Sequence, residues 1–276
     1  LTKAANETVE AYSGVFVEAQ VSGLASLTGD AWLMIDEDQL NSTNVQIDRA
    51  LKRAYGAETL EWLGKYGESL AALAAYDSVT AVDKAATQLS ESLVSSNGTY
   101  KEFRGEELFD KEDIVNAVTL GNALGSAVTE EKKAKALRGL VESTNDGVQL
   151  ACREIYETYK GGGTYSDAIE AVAGSVFTDR FSYGKRKYAH KEFPEKAQFI
   201  DASRKQLYAL QHIDTAFNAV ANSAQMLGQA HQQLYEALQE NSLDFDNLPV
   251  LVAEMKTEKK RLQEFRDAIT SSDEEE

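Results

Sequence analysis

At 276 residues with 43% hydrophobic content, the chain can bury a core, and its two prolines leave long stretches free to run as helix. A formal net charge of −17 excludes general binding to nucleic acid, whose phosphates need clustered Lys and Arg. A single cysteine, Cys152, excludes an internal disulfide and a cysteine-based zinc or iron–sulfur centre, and no apolar run approaches the ~18 residues that cross a bilayer. The expectation is a soluble, acidic, all-α protein: an elongated helical bundle, one domain over residues 1–276, with a long heptad-patterned helix near the C-terminus.

Taken in chain order, Val9, Tyr12, Phe16, Ala19, Leu24 and Leu27 mark a first amphipathic helix that Thr28-Gly29-Asp30 ends. A short helix over 31–40 carries Trp32, Leu33 and Ile35. The polar stretch 41–44 then caps a helix through Ile47, Leu51 and Tyr55, with Gly56 as its stop. Leu60, Leu63, Gly67, Leu70 and Ala74 resume the pattern, Asp77-Ser78 kinks or recaps it, and Val82, Ala85, Leu89 and Leu93 continue it. Ser95-Ser96-Asn97-Gly98 reads as a break and 100–105 as a loop.

Ile114, Val118, Leu124 and Val128 begin another helix. After a cap at Thr129, Leu137, Val141, Thr144, Val148, Ala151, Ile155 and Tyr159 form a heptad-like seam. Three consecutive glycines, Gly161 to Gly163, interrupt it and place a possible hinge at 160–164, before a short helix over 166–179. The most regular pattern spans 194–241, where Leu210, Phe217, Ala224, His231 and Leu238 recur every seven residues with Ile213, Val220, Leu227 and Leu234 three positions later. Residues 244–249 turn the chain, and Leu248, Leu251, Met255, Leu262, Phe265 and Ile269 predict a last helix antiparallel to it.

The motif inventory excludes several chemistries. His190, His212 and His231 are too scattered for a histidine metal site, so no metal and no cofactor is expected. Asp244 and Asp246 lack the glycine and the distal glutamate of a calcium loop, and the acidic runs 36–38, 106–107 and 273–276 read as solvated surface. Tyr156 with Lys160 and Tyr183 with Lys187 share an oxidoreductase spacing without the glycine-rich nucleotide loop that gives it meaning. Cys152 falls in an apolar helical pattern as a small core residue, and the sequons at Asn6, Asn41 and Asn97 matter only in a eukaryotic secretory setting.

Two features hold functional interest. His231 occupies a heptad core position, where a polar residue most often sets register or takes an internal hydrogen-bond partner. The segment 180–191 is basic and interleaved with aromatics in an otherwise acidic chain. Arg180, Tyr183, Lys185, Arg186, Lys187, Tyr188, His190 and Lys191 are the candidate interaction patch for an anionic surface or a protein partner.

The run Leu63-Gly-Lys-Tyr-Gly-Glu-Ser-Leu-Ala-Ala-Leu-Ala-Ala-Tyr-Asp77, with Val82-Asp-Lys-Ala-Ala-Thr-Gln-Leu89, resembles segments of helical bacterial cell-envelope proteins, often lipoproteins, of uncharacterised function. The resemblance implies an envelope or periplasmic location, with the cytoplasm as the alternative. The chain starts at Leu1 without the lipid-bearing cysteine of such lipoproteins, so an anchor would lie upstream. The expected function is a non-enzymatic interaction or scaffold bundle. Membrane association is expected only through such an anchor or the basic patch. The alternatives are a membrane-active bundle, or an enzyme with carboxylates or His231 in an interhelical pocket.

Overall fold

The computed structural model describes residues 2–25, 37–75, 79–125, 130–161 and 164–240, with the single positions 260, 263 and 264. Eight helices fill the continuous stretches: α1 (Thr2–Ala25), α2 (Glu37–Ala75), α3 (Val79–Arg104), α4 (Lys111–Gly125), α5 (Glu130–Tyr159), α6 (Thr164–Lys187), α7 (Phe193–Gln211) and α8 (Ile213–Gln239). The described residues contain no strand, and the class is all-α. None of these helices is long and apolar enough to cross a membrane.

Helices α2, α3, α4 and α5 pack in sequence order, each on the next, and α5 takes α8 as its main partner, while α1 lies on α2 and reaches α6 and α8. Their apolar stripes merge into one core. Tyr12 of α1 and Tyr159 of α5 close on Phe217 of α8, with ring centroids 5.4 and 5.8 Å apart. The heptad pattern identified the inner face of α8: Ile213, Phe217, Val220, Ala224, His231 and Leu238 are all buried. Helix α7 is peripheral, and its main packing partners among the described helices are α6 and α8.

Several expected boundaries are corrected. Residues 194–241 do not form one helix: they divide at His212, whose backbone leaves the helical region at φ −119°, ψ 15°. The His212 ring stacks on Tyr208 at 4.1 Å, and its Nδ1–H donates to the Tyr208 carbonyl at 2.7 Å, so a side chain competes for the acceptor that a continuous helix gives to a backbone N–H. Gly56 stops nothing and lies inside the 39-residue α2. A Cβ there would meet the Phe103 and Tyr159 rings at 3.1–3.2 Å, so a larger residue would have to push those rings back among α2, α3 and α5. The expected cap at 41–44 also lies within α2.

The expected break at Ser95–Gly98 and the loop at 100–105 are likewise helix as far as Arg104, and Tyr100 is fully buried. Asn97, a turn-forming residue by composition, accepts from the Leu108 and Phe109 backbone N–H groups at 2.6 and 2.8 Å, so it anchors the loop that follows the helix. That helix ends at Gly105, whose φ of +85° suits a residue without a side chain. The helix expected over 166–179 instead runs from Thr164 to Lys187. α5 ends at Tyr159 as the glycine triplet requires, and Asn218 accepts from the Gly161 N–H at 2.7 Å. The expectations for 28–35, 77–78 and 129, and those for the turn at 244–249, the last helix and the acidic tail, lie outside the described residues.

Candidate functional site

The basic segment lies at the exposed end of a helical hairpin, with residues 180–187 helical and 188–191 in the turn. Lys185, Arg186 and Lys187 make up the last turn of α6, where cations are favoured by the negative end of the helix dipole. His190 and Lys191 follow in the turn, both exposed. Tyr183 points to solvent, 62% exposed, and the side chain of Arg180 lies outside the described residues.

An aromatic ladder fixes this hairpin. Phe177 stacks on Phe181, Phe181 on Phe199 of α7, and Phe199 on Tyr188, with centroid separations of 5.8, 5.6 and 5.1 Å and planes within 15° of parallel. Gly184 lets the two helices approach, because a Cβ at that position would overlap the Phe199 ring. Of the candidate patch, Tyr188 is therefore a structural member of the ladder. Beyond the ladder a cavity of about 620 Å³ separates the helices, bordered by Phe177, Leu207 and Leu210.

The cations divide into engaged and unengaged groups. Lys191 pairs with Glu195 at 3.0 Å, and Asp201 takes both Arg204 and Lys205 at 3.0 and 3.2 Å. Lys185 and Lys187 lie 5.7 Å from the Phe181 and Tyr188 ring centroids, and neither they nor Arg186 meets a carboxylate among the described residues. Residues 180–205 hold eight Lys and Arg against three Asp and Glu. Within a Debye length of ~8–10 Å such a local excess acts on a partner more strongly than charge farther away. Lys196, Arg204 and the exposed apolar residues of α7 were missed as members of the patch, because the sequence pattern assigned that stretch to the core-facing heptad helix.

His231 lies in a polar relay that enters the core from the surface of α8. The carboxylate of Glu236 can only accept, so Gln232 Nε2–H donates to it at 2.8 Å, and Gln232 Oε1 receives Asn145 Nδ2–H at 3.5 Å. Asn145 Oδ1 then accepts from His231 Nδ1–H at 3.1 Å, which leaves Nε2 to receive the Tyr66 hydroxyl at 3.0 Å. Thr144 Oγ1 lies 2.5 Å from the Tyr66 oxygen and 3.0 Å from the Leu140 carbonyl, so its single proton is shared between two acceptors. Helices α2, α5 and α8 are joined through this chain.

Burial dominates the electrostatics of the relay. His231 is 7% exposed, and its pKa falls from 6.5 to about 4 because the imidazolium would be cut off from water. Burial likewise raises the Tyr66 pKa, against which the bond to Thr144 acts weakly. Both His231 nitrogens are engaged, leaving none for a ligand or for proton abstraction. The expectation of an internal partner for a polar core position is met, and Thr144, a polar residue in the α5 seam, was the available sign of it.

Outside the relay, a groove of about 430 Å³ between α5 and α8 is bordered by Arg153, Tyr156, Gln225 and Gln229, with Cys152 beneath. Amides dominate it, and it holds no pair of carboxylates for acid/base work. Cys152 is a core residue whose thiol pKa is pushed up to about 12 by burial. Among the described residues no group of three His, Cys, Asp or Glu is placed to hold a metal. Asn6 is buried with its Nδ2 donating to Glu10 and Glu61, so that sequon presents no free amide, whereas Asn97 is held through its Oδ1. No family model matches the chain, and no characterised protein or solved structure is significantly similar to it.

Proposed function

We propose that the chain is a non-enzymatic helical-bundle interaction protein of the bacterial cell envelope whose contact surface is the α6–α7 hairpin. The observation that carries this reading is the run Lys185-Arg186-Lys187, exposed at the end of α6 without a described carboxylate partner in a chain of net charge −17. Such a cluster is costly to keep beside itself and gains most when an anionic partner approaches. The pinned hairpin favours the same reading, because it presents the cations on a rigid support instead of a frayed loop. The envelope placement rests on the resemblance of residues 63–77 and 82–89.

Retention on a polyglutamate-coated resin tests the contact surface, because a strongly acidic protein is otherwise repelled by it. The native chain is expected to be held at low salt, and the triple substitution Lys185→Glu, Arg186→Glu, Lys187→Glu is expected to flow through with an unchanged far-UV circular dichroism spectrum. Equal retention of both proteins, or of neither, overturns the assignment. For the location, periplasmic release from cells expressing the full-length gene is expected; co-fractionation with a cytosolic marker would overturn it.

A further inference from the structure

We infer that the outward face of the hairpin docks on a lipid bilayer carrying anionic headgroups. The inference rests on the hairpin being the contact surface and adds the chemistry of what it meets. On α7, Phe193, Lys196, Ile200, Arg204 and Leu207 follow one another at spacings of three, four, four and three residues. At 100° per residue these five positions fall within a strip about 80° wide, and at 1.5 Å per residue the strip is about 21 Å long. Two of its apolar members are open to solvent, Phe193 at 81% and Ile200 at 51% exposed, and Leu207, at 40%, sits at its edge beside the cavity between the helices.

The adjoining face of α7 is already committed. Phe199 is stacked between Phe181 and Tyr188, and Ser203 is buried with its hydroxyl donating to the Phe199 carbonyl. Rotating the helix to hide the outer strip would break the ladder, so the strip stays outside. Among the described residues Phe193 and Ile200 stay open to solvent, and exposed Tyr208, one position past Leu207, adds a ring that carries a polar tip.

Apolar residues and cations alternate along one strip here, and that alternation discriminates between partners. A soluble polyanion needs the cations and gains nothing from Phe193, Ile200 and Leu207. A helix lying in a membrane interface uses both, burying its apolar side chains between headgroups while Lys and Arg stems reach back to the phosphates. Lys185, Arg186 and Lys187 at the neighbouring end of α6 widen the cationic field around the strip. Dispersed charge on an acidic protein surface would match the cations and leave the apolar strip wet.

Vesicle flotation at about 0.1 M salt tests the inference. It uses vesicles of equal parts phosphatidylglycerol and phosphatidylcholine, with pure phosphatidylcholine as the neutral arm and soluble polyglutamate as the non-lipid polyanion. The chain is expected to float with the mixed vesicles and to stay behind with the neutral ones. Neutralising three cations (Lys185→Gln, Arg186→Gln, Lys187→Gln) is expected to lower partitioning roughly 100-fold, at roughly fivefold for each cation near an anionic surface. Phe193→Asp with Ile200→Asp, both at well-exposed positions, is expected to lower it at least roughly tenfold. Polyglutamate binding without flotation overturns the bilayer and leaves the contact surface standing; loss of both overturns both. Flotation unchanged by the Asp pair overturns the role of the strip.

Discussion

Acidification singles out His231 as a group whose neutral form the fold requires. Its pKa in the folded chain is about 4, below the 6.5 of a free imidazole, because burial penalises the charged ring. The unfolded chain therefore takes up the proton first as pH falls. This contribution is fully present above pH 6.5 and is lost progressively down to about pH 4, so neutral His231 contributes about 3 kcal/mol, of which roughly 2 has gone by pH 5. Its ring contacts are Tyr66 and Asn145, so no bound carboxylate rescues the imidazolium. Urea unfolding of the native chain and of His231→Gln at pH 8, 7, 6 and 5 isolates the term, since His190, His212 and all carboxylates are common to both. The native chain is expected to be the more stable at pH 8, and its advantage to shrink by roughly 2 kcal/mol at pH 5. A stability difference that stays flat across this range would refute the buried neutral ring.

Two further substitution pairs test the packing. Tyr66→Phe removes the hydroxyl that His231 and Thr144 share and is expected to cost about 1–3 kcal/mol, whereas Tyr100→Phe removes a buried hydroxyl with no hydrogen-bond partner among the described residues and is expected to be neutral or stabilising. Equal losses in chemical denaturation would mean that Tyr100 has an unseen partner. Gly98 lies inside α3 with open space around its Cα, so Gly98→Ala is expected to raise stability by about 1 kcal/mol, while Gly184→Ala pushes a methyl into the Phe199 ring and lowers the melting temperature. A stabilising Gly184→Ala would contradict the close approach of α6 and α7.

Much of the fold was legible because helical periodicity is a local property. The spacing of Phe217, Val220, Ala224 and His231 sufficed to mark the buried face of α8, and the glycine triplet marked the end of α5. The errors share a cause. Gly56, Asn97 and Gly98 were read as stops by composition, yet each lies inside a helix whose neighbours outweigh about 1 kcal/mol of local preference. His212 erred the other way: a residue with no breaking propensity ends a helix because its ring bonds back to the Tyr208 carbonyl.

Composition and residue spacing alone determined the all-α class, the impossibility of an internal disulfide in this sequence, the basic segment and the polar core position at His231. Only the tertiary structure decided what those features touch. Tyr66 and His231 are 165 residues apart, and the Phe181 to Phe199 stack joins two helices across a turn, so neither pairing leaves a periodic trace in the chain. The same holds for the outer strip of α7: its exposure follows from the ladder pinning the adjoining face. A side chain's burial is settled by which helix lies against it, and a one-dimensional pattern carries no record of that choice.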